Sequence, residues 1–282
     1  MVWDAWGVAS AHTPLPEQIR ALVAQVFAVS GDPVPRRDAV DVALRESRST
    51  SVQSAGLAAV VGADHVSDTH RERLLHAGGK STPDLLRRRS DGPQDAPDLV
   101  VFPADHEQVL DVLAYCAEQA IAVVPFGGGT SVVGGVQPDR GRFDTVVALD
   151  LRRLVDIREV DPVSGTVVLG AGLTGPQASA LLAEYGLSLG HFPQSFEFAS
   201  IGGFAATRSS GQASAGYGRF DDMVMHLKVA TPTGTLELGR APASAAGPDL
   251  REVFAGSEGV FGIITEVTLR VHPIPETTAY QG

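Results

Sequence analysis

The sequence PFGGGTSVVGG, residues 125–135, places five glycines in eleven positions. The apolar run Ile121–Val124 comes directly before it and predicts a buried strand that leads into this loop. Glycine loses more backbone entropy on folding than any other residue, so a loop this rich in glycine is disfavoured unless the missing side chains are needed. The stretch therefore predicts that a ligand or another chain segment comes very close to this backbone.

The strand before the glycine loop belongs to a predicted β-α-β unit. Leu99–Phe102 is a short apolar strand, and Asp105 can cap the following helix with Gln108 closing a capping box. The strand Ile121–Pro125 follows this helix and leads into the glycine loop. We therefore expect the glycine loop at the carboxyl end of the second strand of this unit.

Strands and helices continue downstream and indicate an α+β fold. The other predicted strands are Val146–Leu151, Asp156–Val160, Thr166–Gly170, Val224–Ala230, Thr235–Leu238 and Gly262–Val271. Thr174 and Gln177 predict a capping box at the start of a helix that ends at Gly186. Residues 187–220 are rich in Gly, Ser and Phe with little periodicity, and a loop that long inside a domain usually carries function.

Residues 1–95 predict a mainly helical segment that ends in a linker, Ser90–Pro97. One helix should end near Gly31, and shorter helices are predicted near Ala55–Val61 and Thr69–His76. The apolar face of the first helix consists of Leu15, Ile19, Leu22, Val23, Val26 and Phe27. The following domain is expected at residues 96–275.

Composition limits the classes of function. The 282 residues carry a net charge of −11 and 44% hydrophobic residues, so a core is available but nucleic acid is not an expected partner. The single cysteine, Cys116, is expected in the core and fits a cytoplasmic protein. We expect neither a signal peptide at the amino terminus nor a transmembrane segment, because no apolar run reaches the ~20 residues that span a bilayer.

Two short motifs resemble those of nucleotide-binding sites. Gly79–Lys80–Ser81 resembles the end of a P-loop, but Leu74 stands where that motif needs its first glycine. Residues 170–175 match G-x-G-x-x-G, but the strand before them is predicted to form an antiparallel hairpin. We therefore expect neither a P-loop nor a dinucleotide-binding Rossmann unit.

Three glycine-bearing segments remain, namely Pro125–Gly135, Pro193–Gly211 and Ser257–Ile264. Each combines glycine with hydroxyl side chains beside a strand or a helix start, where bare N–H groups bind anions. Arg208 is the strong cation in these segments. Together they predict a site for a long ligand with a diphosphate in its middle and ring systems at both ends.

These segments resemble a known family. PFGGGTSV, GHFPQSFEFASIGGFAATRSSG and GSEGVFGIIT are similar to the three FAD-contacting segments of the vanillyl-alcohol-oxidase (PCMH-type) flavoproteins. Within that superfamily, HAGGKSTPDLLRRR, GHFPQSFEF and TRSSG point to the alkyldihydroxyacetonephosphate synthases. The resemblance runs from about Arg71 to Pro275 and implies a PCMH-type FAD-binding domain of two α/β subdomains after the helical segment.

The resemblance also implies which residues bind FAD. They are Pro125, Phe126, Gly127, Gly128, Gly129, Thr130 and Ser131 at the diphosphate, Gln194, Ser195, Ala199, Ser200 and Gly203 at the flavin and diphosphate, Thr207, Arg208, Ser209 and Ser210 at the rest of the cofactor, and Glu258, Gly259, Gly262, Ile263 and Ile264 along the adenosine half. Glu258 would accept from a ribose hydroxyl, or else is a turn carboxylate. Thr130 stands where some relatives attach FAD through a histidine, which implies non-covalent FAD, and His191 is expected to be structural.

The implied function is exchange of an acyl for an alkoxy group on acyl-dihydroxyacetone phosphate, a step of ether-lipid synthesis without net redox change. The alternative on the same fold is an FAD-linked oxidase or dehydrogenase of D-2-hydroxy acids, of D-lactate or glycolate type. A non-catalytic flavin-binding module is a third possibility. In each enzyme hypothesis the substrate is a small or lipid-derived molecule.

The chain stops at Gly282, where the resembling proteins continue into a cap domain that supplies the substrate pocket. We therefore expect residues 276–282 to begin a missing cap domain, the catalytic residues to lie outside the chain, and the chain alone to be inactive. A homodimer is a further expectation, and no metal site is expected because the eight histidines show no metal-type clustering.

Overall fold

Helices and strands alternate along the part of the chain that the computed structural model describes, which is residues 1–11, 13–29, 37–239, 244–277 and 279. The helices are α1 (Glu17–Val26), α2 (Ser51–Val61), α3 (His70–Leu75), α4 (Thr82–Arg89), α5 (His106–Glu118), α6 (Gly175–Ala183), α7 (Ile201–Ala206), α8 (Ser214–Tyr217), α9 (Phe220–Met223) and α10 (Arg251–Phe254). The strands are β1 (Val66–Ser67), β2 (Leu99–Val101), β3 (Ile121–Phe126), β4 (Thr145–Asp150), β5 (Ile157–Asp161), β6 (Thr166–Gly170), β7 (Leu187–Ser188), β8 (Val224–Thr231), β9 (Gly234–Leu238), β10 (Ile263–Arg270) and β11 (His272–Pro273). The predicted α+β class is confirmed.

The first sheet is mainly parallel and has the strand order β1-β2-β4-β3. β2, β4 and β3 run parallel, and Phe126 at the end of β3 pairs with Asp150 at the end of β4. The crossover helix α5 starts where predicted, because the Asp105 carboxylate accepts from the Gln108 N–H at 2.9 Å. The β-α-β unit is thus confirmed, with β4 inserted between its two strands. The glycine loop leaves the sheet at the carboxyl end of β3.

The second sheet is antiparallel, with the order β5-β6-β10-β8-β9. The predicted hairpin between β8 and β9 is confirmed, with Thr231 paired to Gly234 across its turn. β6 pairs antiparallel with both β5 and β10. Because a Rossmann unit needs a parallel strand there, the rejection of the G-x-G-x-x-G match at residues 170–175 is confirmed.

The two sheets pack against each other through α5 and the start of β10. Ala230 and Ile263 of the second sheet are buried in the apolar cluster beneath the first sheet. His106 at the start of α5 shares hydrogen bonds of 2.7 Å with the hydroxyls of Thr265 and Thr235. The relative position of the sheets is therefore fixed by both apolar and polar contacts.

The amino-terminal segment is partly integrated into the first sheet. β1 pairs antiparallel with β2, and α2 packs so closely on α5 that a Cβ at Gly56 would lie 2.1 Å from the Tyr115 hydroxyl. The predicted helix near the amino terminus is present as α1, but none of its residues is buried. Gly31, its predicted stop, and residues 278 and 280–282 of the predicted cap-domain start lie outside the described residues.

Cys116 lies in the core as predicted. Its side chain on α5 is buried, and burial raises the pKa of the thiol to about 12. Among the described helices, none has the length and apolar character needed to cross a membrane.

Asp98 joins the amino-terminal segment to the first sheet. Its fully buried carboxylate accepts from the Arg48 N–H and the Val146 N–H, each at 2.8 Å, and from the Arg140 guanidinium at 2.6 Å. Removing it leaves a partly buried guanidinium and two N–H groups without their acceptor.

We therefore expect Asp98→Ala to lower the free energy of unfolding by about 3 kcal/mol, measured by urea denaturation. The control is Asp95→Ala, which removes an ion pair to Arg45 whose side chains are more than half exposed. That variant should change stability by less than about 1 kcal/mol. Equal effects of the two substitutions would contradict the role assigned to Asp98.

Candidate functional site

A cleft of about 1060 Å³ opens at the carboxyl end of β3. Its walls are the loop after β3, the segment that leads into α7, and the residues that lead into β10. Pockets for drug-sized ligands and cofactors have volumes of about 300–1,000 Å³, so this cleft can take a ligand of dinucleotide size.

The glycine loop packs directly against the backbone of the segment that precedes α7. A Cβ at Gly128 would lie 1.9 Å from the Phe198 carbonyl oxygen, and one at Gly127 would lie 2.3 Å from the Ser200 Oγ. Real Cβ atoms do not approach that closely, so neither position admits a side chain without movement. The first two predicted segments are therefore in contact because glycine occupies both positions.

The third segment closes on the same loop. A Cβ at Gly259 would lie 2.8 Å from the Pro125 Cγ, and one at Gly135 would lie 2.0 Å from the Glu258 carboxylate. Gly259 also has φ of +84°, a conformation that favours glycine. The three bends that the sequence singled out thus converge on one cleft.

The glycine loop presents unused hydrogen-bond donors. The Phe126 carbonyl before the loop accepts from the Leu151 N–H at 3.1 Å. The N–H groups of residues 127–130, in contrast, have no acceptor within the described part of the chain. Successive free N–H groups at the end of a strand form a cradle for an anion. The loop can therefore bind a diphosphate without any charged side chain.

Hydroxyl side chains fix the second segment. The Ser200 Oγ caps α7 by accepting from the Gly203 N–H at 3.1 Å, and the Thr207 Oγ1 donates to the Gly203 carbonyl at 2.9 Å. The Ser209 Oγ shares a 3.0 Å hydrogen bond with the Nε2 of His191. These bonds hold the cleft wall in place before any ligand arrives.

Most of the residues predicted to contact the cofactor line this one cleft. They are Pro125, Phe126, Gly127, Gly128, Gly129, Thr130, Ser131, Gln194, Ser195, Ala199, Ser200, Gly203, Thr207, Ser209, Ser210, Glu258, Gly259, Gly262, Ile263 and Ile264. Burial raises the pKa of the Glu258 carboxyl, and a hydrogen bond from Ser131 partly offsets this rise. Glu258 is thus held at the cleft, where a ribose hydroxyl could reach it.

Arg208 is the exception among the predicted residues. Its guanidinium donates to the carbonyls of Ala255 at 2.9 Å and Glu252 at 2.7 Å, and it pairs with the Glu252 carboxylate at 2.6 Å. The guanidinium therefore holds α10 and the turn after it. Arg208 does not belong to the cleft lining. The sequence could not show this, because the acceptors lie more than forty residues downstream.

The cleft lining also includes residues that the sequence did not single out. Lys80, Ser81, Thr82 and Pro83 lie along it, as do Trp6 and Gly7. Burial lowers the pKa of Lys80 to about 7. The motif HAGGKSTPDLLRRR was a signal for the first group, whereas nothing in the local sequence placed Trp6 near the glycine loop.

A family comparison decides what kind of site this is. The protein-family model described as "FAD binding domain" matches residues 97–239, which is just over half of the chain. The chain belongs to this FAD-binding family. The matched range contains the first two cleft segments, and the third lies beyond its end.

Enzymes of two kinds are among the curated relatives with similar sequences. The chain is 40% identical over 220 residues to the alkyldihydroxyacetonephosphate synthase of Dictyostelium discoideum, which covers 78% of this chain and 36% of that protein. It is 38% identical over 182 residues to a mitochondrial D-lactate dehydrogenase [cytochrome] of Arabidopsis thaliana, covering 64% of this chain and 31% of that protein. The chain thus spans about a third of the length of these relatives.

Solved structures with the same fold include both a synthase and the enzyme that gives the PCMH-type domain its name. A structure of alkyldihydroxyacetonephosphate synthase superposes with a TM-score of 0.87 at 31% identity, over 98% of this chain and 54% of that one. p-Cresol methylhydroxylase with substrate bound superposes with a TM-score of 0.66 at 20% identity, over 84% of this chain and 46% of that one, and shows the fold alone. The PCMH-type fold is therefore confirmed.

The residues of the cleft fit FAD. The free amides of residues 127–130 suit its diphosphate, and the apolar side chains of Ile263 and Ile264 suit a flat ring. The close approach at Gly128 requires a residue without a side chain. A bulky ligand can therefore reach the backbone of the loop there.

A buried polar pair supports the glycine loop of this FAD-binding domain from below. The Nε2 of His76 lies 2.8 Å from the Oδ2 of Asp150, and its ring packs on the Phe126 ring with 4.3 Å between centroids. Burial alone would raise the pKa of Asp150, but hydrogen bonds from His76 and Arg152 lower it overall. Asp150 is therefore ionised, and the pair fixes the aromatic ring on which the loop begins.

We expect Gly128→Ala to lower the free energy of unfolding by about 2 kcal/mol, because the new methyl group forces the loop away from the Phe198 carbonyl. Chemical denaturation measures the change. Gly216→Ala is the matched control, since a Cβ there meets nothing within 4 Å and the residue lies in α8. A Gly128→Ala protein as stable as this control would show that the two segments do not touch as described.

His191 predicts a pH dependence of stability. Its side chain is 3% exposed and lies between the Phe204 and Phe220 rings, and burial lowers its pKa to about 4. The pKa of histidine in an unfolded chain is about 6.5, so between pH 4 and this value the unfolded chain binds more protons than the folded one. The stability contributed by neutral His191 is therefore full above pH 6.5 and is lost as the pH falls toward 4.

His191→Gln should remove this part of the pH dependence, measured as the free energy of unfolding at several pH values between 4 and 7. An unchanged slope in His191→Gln would contradict a buried neutral imidazole.

Proposed function

We propose that the chain is the FAD-binding part of an enzyme that exchanges the acyl group of acyl-dihydroxyacetone phosphate for an alkoxy group in ether-lipid synthesis. The observation that carries this proposal is the extent of the structural match. The alkyldihydroxyacetonephosphate synthase structure superposes on 98% of the chain and thus includes nearly all of its amino-terminal segment. By sequence, the match to the synthase of Dictyostelium discoideum covers 78% of the chain, and the match to the D-lactate dehydrogenase covers 64%.

The chain's own residues would bind and orient the cofactor. The amides of residues 127–130 would hold the diphosphate, Glu258 would accept from a ribose hydroxyl, and Ile263 and Ile264 would face the adenosine half. Ala199 and Ser200 would lie against the flavin and diphosphate. Bound FAD would supply a ring system that accepts and returns electron pairs, while the protein supplies position and exclusion of water.

The side chains at the cleft support non-covalent attachment. Thr130 has no nitrogen with which to attach the flavin. His191 is buried, and its Nε2 is bonded to the Ser209 hydroxyl. Denaturation should therefore release the cofactor intact.

The catalytic residues of the proposed reaction are expected outside this chain. A phosphate-bearing substrate needs arginine or lysine partners. Lys80 is the one cation among the described residues that line the cleft, and its ammonium group binds carbonyls of the amino-terminal loop. Arg208 is bonded to α10. We therefore propose that the isolated chain binds FAD and does not turn over.

A dehydrogenase of D-2-hydroxy acids is the second candidate, favoured by the identity to D-lactate dehydrogenase. The full-length parent distinguishes the two. Substrate-dependent bleaching of the flavin, with electrons passed to an added acceptor, would identify a dehydrogenase. Exchange of acyl for alkoxy without an acceptor would identify a synthase.

We extend the proposal to organisation and location. The proposed units are residues 1–95, the FAD-binding domain at 96–275 and the start of a cap domain at 276–282. The exposed apolar side chains on α1, such as Leu22 at 54% and Val26 at 65%, support a homodimer, which the mass in solution would test. One buried cysteine supports a cytoplasmic location.

The purified chain should show the paired visible absorbance bands of flavin, either as isolated or after FAD is added. Acid or guanidinium denaturation followed by filtration should move all of the colour into the filtrate. Gly128→Ala should retain much less FAD than Gly216→Ala, because its loop is displaced. A colourless wild-type protein that does not take up added FAD would overturn the proposal.

A further inference from the structure

The first residues of the chain form a closed loop at the edge of the cleft. The Val2 N–H donates to the Gly7 carbonyl at 2.9 Å, and Gly7 has φ of +84°, which suits a tight turn. Trp6 and Gly7 belong to the cleft lining. This amino-terminal loop, residues 2–7, is therefore a wall of the same cleft as the glycine loop, although more than a hundred residues separate them.

Two buried cations fasten the amino-terminal loop. The Lys80 Nζ donates to the Val2 carbonyl at 2.5 Å and to the Trp3 carbonyl at 2.8 Å, and the Arg88 guanidinium donates to the Trp3 and Gly78 carbonyls. Both cations are at most 4% exposed. Hydrogen bonds from charged donors are stronger than neutral ones, and the Arg88 guanidinium is such a donor, so this end of the chain is firmly held.

The apolar side of the loop is anchored as well. The Trp3 side chain is 8% exposed and packs with Val42 and Leu74 in a small separate core. Asp4 is fully buried near Lys80 and Arg88, where its charge favours their charged forms. The loop thus has a defined position and does not depend on a ligand for it.

Lys80 also connects the amino-terminal loop to the glycine loop. Its backbone N–H donates to the Ser131 carbonyl at 2.7 Å. A Cβ at the preceding Gly79 would lie 2.1 Å from the same oxygen, so the two backbones touch there. One residue therefore holds the amino-terminal loop by its side chain and the end of the glycine loop by its backbone.

Trp6 is the most exposed of the aromatic residues that line the cleft. The described lining contains four aromatic residues, Trp6, Phe126, Phe198 and Phe204. Phe126 and Phe204 are 6% and 1% exposed and Phe198 is partly buried, whereas Trp6 is 43% exposed. A large, exposed ring at a cleft is suited to pack on a flat aromatic ligand.

We propose that Trp6 is a cofactor contact of this domain, packing its indole on bound FAD, and that Lys80 is the positioning residue that sets the amino-terminal loop against the glycine loop. This inference rests on the proposed FAD binding. It assigns a binding function to a segment that lies before the matched FAD-binding region at residues 97–239.

Tryptophan fluorescence tests the contact directly, because Trp3 and Trp6 are the two tryptophans of the chain. FAD is titrated into the cofactor-free protein while tryptophan emission and flavin fluorescence are recorded together. In Trp3→Phe, where Trp6 is the reporter, FAD should quench most of the emission. In Trp6→Phe the remaining Trp3 should be quenched much less, and the Kd for FAD should rise about 3- to 10-fold.

Lys80→Met tests the positioning role. Losing the ammonium group frees the Val2 carbonyl and leaves the Trp3 carbonyl with Arg88 as its donor, so hydrogen exchange in residues 2–7 should speed up and the FAD-dependent quenching of Trp6 should fall. Lys228→Met is the matched control, because Lys228 is the other lysine of the chain and lies on β8, outside the cleft lining. It should keep wild-type exchange, quenching and Kd.

The outcomes separate this inference from the proposed function. If the wild-type chain binds FAD while Trp6 emission and the Kd of Trp6→Phe stay unchanged, the contact is wrong and FAD binding stands. If Trp6 is quenched but Lys80→Met behaves like Lys228→Met, the positioning role is wrong. If the wild-type chain binds no FAD, the proposed function fails and this inference fails with it.

Discussion

Backbone contact across glycine positions is the constraint on which the site depends. The Phe198 carbonyl oxygen occupies the space that a side chain at Gly128 would need, and Pro125 does the same at Gly259. A single methyl group at either position would separate two walls of the cleft. The same absence of side chains leaves amides free to face a ligand, so the assembly of the cleft and the binding of an anion follow from one feature.

A site built from backbone amides needs rigid support from elsewhere. The β3 strand fixes where the loop starts, and the buried pair of His76 and Asp150 fixes the Phe126 ring at that point. At the other end of the loop, Lys80 binds Ser131. These supports come from the amino-terminal segment and the first sheet, which explains why that segment packs into the same structure as the FAD-binding domain.

The electrostatics of the cleft fit a cofactor held by dipoles. The chain carries a net charge of −11, and its cations near the cleft are used to hold the chain together. Lys80 binds the amino-terminal loop, and Arg208 binds α10. Neutral N–H donors are thus left at the cleft, and an amide cradle can bind a diphosphate without the cost of burying a second charge.

The sequence alone determined long elements such as α5 and the three glycine-bearing segments that meet at the cleft, because capping residues such as Asp105, hydrophobic periodicity and glycines such as Gly128 act over a few neighbouring residues. It did not predict α7 and α8, which lie in residues 187–220, where a loop was expected. It was insufficient for Arg208, whose partners lie in α10, and for Trp6, whose place at the cleft depends on Lys80. Only the tertiary structure decided which side chains face the cleft. A long cation or a large ring takes the partner that folding brings nearest, and hydrogen bonds between residues far apart in the chain leave no local pattern in the sequence.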